Sequence, residues 1–228
     1  MLYMKDEHYV ISRQELDFVL AGVGVRKVFG FVDDPESSEE AGRTESPDAD
    51  LHRVMWSLFQ KNYISRQGNA VRIEEPLQSV VSLMDRADTC LIFDPADHPE
   101  DKLICYLKED RALLMQKVEA PRDNIRFRFA EKGELADLLD RLGLLPDQSL
   151  MLADDRASGT DPDGDLLLTD VYVTDPATGR TMRKIRLLDH GLYTLEEWEM
   201  PSGEKKRRTF RKNTFFADLL KEEAAYDR

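Results

Sequence analysis

Four histidines, two cysteines and 45 carboxylates are the side chains of this 228-residue chain that could hold a metal or move a proton. His8, His52, His98 and His190 are scattered, and none has a second His or a Cys at a ligand spacing such as H-x-x-x-H. Asp94, Asp97 and His98 share the polar loop DPADHPED, where a weak metal site could assemble, although a solvated loop explains those residues equally well. The DPDGD run invites a calcium reading. Counted from Asp161, the sixth loop position is Leu166 and the twelfth is Tyr172, whereas an EF-hand needs glycine and an acid there. Cys90 and Cys105 lie in the apolar runs TCLIF and LICYL and read as small buried hydrophobes. A disulfide between them requires neighbouring strands with suitable geometry.

No nucleophile elbow, P-loop or complete dinucleotide fingerprint occurs. AGVGVRKV lacks the third glycine and marks a helix end. The residues therefore point to no catalytic group, no cofactor and no metal, and the chain is not expected to be an enzyme. Two basic strips remain, Arg183-Lys184-Ile185-Arg186 and Lys205 to Lys212. They could meet an acidic partner or a phosphate backbone. A solvated strand face balanced by Glu196, Glu197 and Glu199 across a hairpin is the reading that the spacing favours.

Composition narrows the classes further. The net charge is −13, which repels nucleic-acid phosphate and anionic membrane at long range. At 41% apolar and 34% charged the chain is a folded, charge-rich domain. The start, MLYMKDEHYV, has no apolar signal core, and no run approaches the roughly 20 apolar residues of a membrane span. A cytoplasmic protein is expected.

The elements that must position any site follow from periodicity. A strand at 9–12 runs into a helix opened by the capping box Ser12-x-x-Glu15 and closed by Gly22 and Gly24. Residues 33–50, acidic and rich in Ser and Pro, read as a loop. Leu51, Val54, Met55, Leu58 and Phe59 form the inward stripe of a helix capped by Asp50. A turn at 65–69 leads to a short extended piece at Val71 and Ile73. Pro76 then opens a helix with Leu77, Val80, Val81 and Met84 inward. Strands follow at 89–93, 103–108, 112–118 and 125–129, then a helix at 134–142. Strands at 166–174, 181–187, 192–200 and 205–212 and a helix at 215–225 repeat that grammar.

The class is α+β, with a curved, mostly antiparallel sheet, flanking helices and two ββββα halves related by pseudo-twofold symmetry. The expected divisions are 1–146, a linker at 147–165, and 166–228.

Function at this stage is a choice among binding classes. A winged-helix DNA binder matches the helix, the Gly68-Asn69 turn and the brief strand. The next helix, however, shows Gln78, Ser79, Ser82, Asp85 and Arg86, a nearly neutral face. The segments ISRQELDFVLAGVGV, LFQKNYISRQGNAVRIEEPLQSVVSLMDRAD, the strands to Phe129 and AEKGELADLLDRLGLLP together resemble the EspG-like chaperones of type VII (ESX) secretion. The shared order is a helix, a polar turn, a second helix and a mid-chain helix ending in Leu-Pro. That resemblance implies a quasi-twofold α+β fold and a cytosolic chaperone that holds a helical export substrate, PE/PPE pairs in that family. The highly charged second half and the short turn at Lys108–Arg111 depart from the pattern and leave the cargo open. An exposed apolar anchor is needed for such a partner. Trp198 and Met200, on one face of a strand, are the sequence candidates. Self-association through an open sheet edge is a further reading.

Overall fold

The computed structural model describes residues 9–25, 47–118, 124–146, 165–191, 193–199 and 203–220. Its centre is one nine-stranded antiparallel sheet in the order β1-β7-β6-β5-β4-β8-β9-β10-β11. The strands are β1 (Tyr9–Ser12), β4 (Thr89–Pro95), β5 (Leu103–Lys108), β6 (Arg111–Lys117) and β7 (Asn124–Glu131), then β8 (Leu166–Thr174), β9 (Thr181–Asp189), β10 (Thr194–Glu199) and β11 (Lys205–Thr209). A separate two-stranded hairpin joins β2 (Ile64–Gln67) to β3 (Ala70–Ile73). The helices are α1 (Arg13–Val23), α2 (Pro47–Gln60), α3 (Leu77–Arg86), α4 (Leu135–Arg141) and α5 (Lys212–Leu219).

The sheet contains the two expected halves. β4 to β7 form one meander followed by α4, and β8 to β11 form another followed by α5. β4 and β8 pair antiparallel from Cys90↔Thr174 to Pro95↔Thr169, so the ladder runs unbroken across the join. Read outward from that seam, the two halves present their strands in the same sequential order. The expected linker at 147–165 lies outside the described residues except for Asp165.

Strand alternation divides the apolar residues between two cores. Cys90, Ile92, Ile104, Tyr106, Leu113, Met115, Ile125 and Phe127 face α1, α2 and α3. Leu91, Phe93, Cys105, Leu114, Val171, Ile185 and Trp198 face α4 and α5. The first half is therefore covered on both faces, which explains why β4 and β5 read as continuous apolar runs.

Local chemistry sets the ends of the elements. Ser12 caps α1 reciprocally with Glu15, and Gly24 closes it in the left-handed region at φ 78°. Pro76 stands immediately before α3, whose buried residues include all four of the expected stripe.

Several boundaries differ from expectation. α2 begins at Pro47, so Asp50 lies inside the helix and pairs with Arg53 at 2.7 Å instead of capping it. The rest of the 33–50 segment is outside the described residues. Ser65–Gln67 is strand, not turn, and pairs with Ala70–Arg72. The reversal itself is confined to Gly68 and Asn69, where Gly68 takes φ 63°. Leu51, placed on the inward stripe, is 43% exposed. The core beneath α2 begins one turn further along, at Val54.

Candidate partner-binding surface

The second tryptophan, Trp56, is the most exposed large apolar side chain among the described residues, at 67%. Its position follows from helical phase. Leu58 is fully buried, with Val54 and Phe59 packed against the same core. Trp56 sits two residues from Leu58, about 200° around the helix, and so points away from the sheet. An indole left in water costs the transfer free energy that burial would gain, and tryptophan is enriched at interface anchors.

α2 passes directly into the β2–β3 hairpin, where Val71 is also 45% exposed. Both elements are held firmly from below. The Lys61 ammonium reaches the Glu15 carboxylate at 2.6 Å, and the Ser12 amide donates to the same oxygen at 2.6 Å. Tyr63 Oη donates to the Val10 carbonyl at 3.2 Å. Burial raises the pKa of Glu15, but the hydrogen bonds from Lys61, Ser57 and Ser12 outweigh it and hold the carboxyl below its ordinary value. The sequence carried a signal for this surface: Trp56 falls outside the Val54-Leu58-Phe59 stripe, and a large aromatic on a helix's polar side is a recognition candidate.

Trp198, the sequence candidate, occupies a different environment. It is 6% exposed and belongs to the core under α5. Its Nε1 donates to Glu196 at 3.1 Å, and its ring meets Phe215 edge-on at 6.3 Å. The Arg208 and Arg183 guanidinium groups lie 5.2 and 6.0 Å from the ring centroid. Arg183 in turn donates to the carbonyls of Asp218 and Leu219 at the end of α5, both at 3.3 Å. Arg208 bonds Glu196 and, at 2.6 Å, Asp218. In the isolated chain this cluster fastens α5 to the sheet. Burial pushes the Glu196 carboxyl up, against the pull of Arg208. Met200 lies outside the described residues.

The basic strips are engaged by acids, as the hairpin spacing suggested. Glu197 receives Arg207 at 2.7 Å and Lys205 at 3.1 Å, and Arg186 lies 3.7 Å away. Lys184 pairs with Asp170 at 2.8 Å. Glu197 is held below its ordinary pKa because these hydrogen bonds exceed its burial penalty.

Among the described residues, two of the histidines are paired with carboxylates. His190 Nδ1 meets Asp165 at 2.6 Å and His98 Nδ1 meets Glu100 at 3.1 Å; among the described residues neither ring bonds a serine, threonine or cysteine side chain. Asp94 is held by Lys102 at 2.9 Å, away from the metal role considered for it. His98, Glu100 and Asp101 bring ligand atoms within 4.8 Å of one another, all in solvent. His52 is exposed on α2, and His8 is outside the described residues. Cys90 and Cys105 are free thiols on adjacent strands, and they belong to opposite cores of the sheet, so no disulfide can join them.

The chain is thus a single antiparallel sheet built from two ββββα meanders, with helices on opposite faces. Among solved structures it matches the Mycobacterium tuberculosis type VII secretion system chaperone EspG5, whose structure is in complex with the PE25–PPE41 dimer. The TM-score is 0.51 at 9% sequence identity, over 93% of this chain and 94% of that one. At that identity the likeness is one of fold, and the resemblance read from the sequence holds at that level. No family model and no curated protein matches the chain.

Proposed function

We propose that this protein is a binding module of the secretion-chaperone kind, which holds a helical export substrate in the cytoplasm through α2 and the adjoining hairpin. The observation that carries the reading is Trp56, a 67% exposed indole on a helix that is itself anchored to the sheet. A rigid aromatic anchor is what an amphipathic helix or helical hairpin needs as a counterpart. The fold likeness to a chaperone solved with its PE–PPE cargo supports the same class, although fold alone never specifies function. None of the described helices is long and apolar enough to cross a membrane.

The deciding experiment is affinity capture of the tagged chain from its native host, with mass spectrometry of what co-purifies. The expected result is a small helical protein or protein pair, with recovery falling at least about tenfold for Trp56→Ala. Recovery of housekeeping proteins alone counts against the chaperone reading. Cargo recovery that is indifferent to Trp56→Ala moves the contact to another surface.

A further inference from the structure

On the face of the sheet opposite α2, a cleft of about 50 Å³ opens between α4 and strands β5 to β7. Its walls are mostly apolar, from Leu103, Leu114 and Leu138, and Leu142 lines it while remaining 42% exposed. The charge comes from β7, where Arg126 and Arg128 line the same cleft. Arg126 is exposed and, among the described residues, no carboxylate pairs with it. That is a departure for a chain with 45 acids against 32 basic residues, whose second-half cations are so consistently matched. Pockets for drug-sized ligands run to roughly 300–1,000 Å³, so this one admits the end of a single side chain.

An apolar notch beside an exposed guanidinium selects its ligand by complementarity. The notch rewards one branched apolar side chain, and the planar guanidinium fork matches a carboxylate. We propose that the α4–β7 cleft docks an extended acidic peptide of a partner protein. One Leu, Ile or Val side chain seats against Leu138 and Leu142, and an adjacent Asp or Glu carboxylate pairs with Arg126. The site lies across the sheet from Trp56 and is independent of the proposal made for α2.

The test is an NMR titration of the full chain, labelled with 15N and methyl 13C, by a short peptide carrying leucine between aspartates. Saturable shifts are expected at the Arg126 side chain and the Leu138 and Leu142 methyls. Replacing the aspartates by lysine, or the leucine by serine, is expected to abolish them. Arg126→Glu, at an exposed position, is expected to weaken the acidic peptide by about tenfold or more with the rest of the spectrum unchanged. Trp56→Ala is expected to leave the titration untouched, which separates this result from the fate of the chaperone reading. The proposal is overturned by the absence of saturable shifts at these residues or by equal binding of the lysine peptide. Shifts with decanoate in place of the peptide, or shifts that follow protein concentration alone and so indicate a second copy, overturn it as well.

Discussion

The two tryptophans show how burial assigns roles to one residue type. Trp198 sits between two arginines and a phenylalanine beneath α5, and Trp56 stands in solvent. Truncating a buried tryptophan costs roughly 3–5 kcal/mol, whereas an exposed substitution stays within about 0.5 kcal/mol. Urea denaturation is expected to show that gap between Trp198→Ala and Trp56→Ala; near-equal midpoints would refute the placement. Acid sensitivity belongs to the same scale. Glu15 and Glu197 are both held below the ordinary carboxylate range in the folded state, because their hydrogen bonds to cations and neighbouring groups outweigh the effect of burial. Their contribution is therefore present at neutral pH and lost as pH falls through the folded-state values. Stability measured from about pH 6 down to about pH 3 is expected to fall, and less steeply for Glu15→Gln than for the native sequence. Glu196, pushed up by burial, works in the opposite sense and partly offsets that loss.

Among the elements, the turns and edges hold the information that composition hides. The β5–β6 turn places Glu109 at φ 51°, in the left-handed region that β-carbon sterics disfavour. Glu109→Gly or Glu109→Asn is expected to raise stability by up to about 1 kcal/mol, read as an increase in melting temperature. An unchanged or lower value would mean that the turn gains something specific from the glutamate. β11 shows the other device. As an outer strand of the sheet it carries Lys205, Lys206, Arg207 and Arg208, a charge density that discourages edge-to-edge pairing. By spacing alone those residues could meet an acidic partner or a phosphate backbone, with balance by glutamates across the hairpin the favoured reading. Register resolves them, because Glu196 and Glu197 on β10 stand directly opposite Arg208 and Arg207.

At the scale of the whole molecule, one sheet is sandwiched between two cores, and the cysteines report on both. Cys90 lies in one core and Cys105 in the other, each fully buried. Burial pushes the Cys90 thiol up to about 12 and raises Cys105 as well, the latter also through the nearby Cys90. Thiolate is the reactive form, so neither residue is expected to react with a thiol reagent in the native state. Labelling should instead track global unfolding in urea, with both cysteines modified together. Modification of one alone in native buffer would mean that one core opens independently of the other.

Much of this architecture was legible in the chain. The strand-by-strand repeat, the capping box at Ser12–Glu15, the α3 stripe and the acidic partners of the basic strips all depend on near neighbours or period-two spacing, which sequence displays directly. The α+β class and the likeness to the EspG-type fold followed from their order. What required tertiary structure was every question about faces and distant neighbours. Leu51 was placed inward because periodicity identifies a stripe but not how far the core beneath it extends, and the burial of Trp198 depends on which face of a strand a later helix covers. The pairing of β4 with β8, the separation of Cys90 from Cys105 and the cleft beside Arg126 come from contacts between segments tens of residues apart. Such contacts are fixed by how sheet and helices pack, not by local spacing.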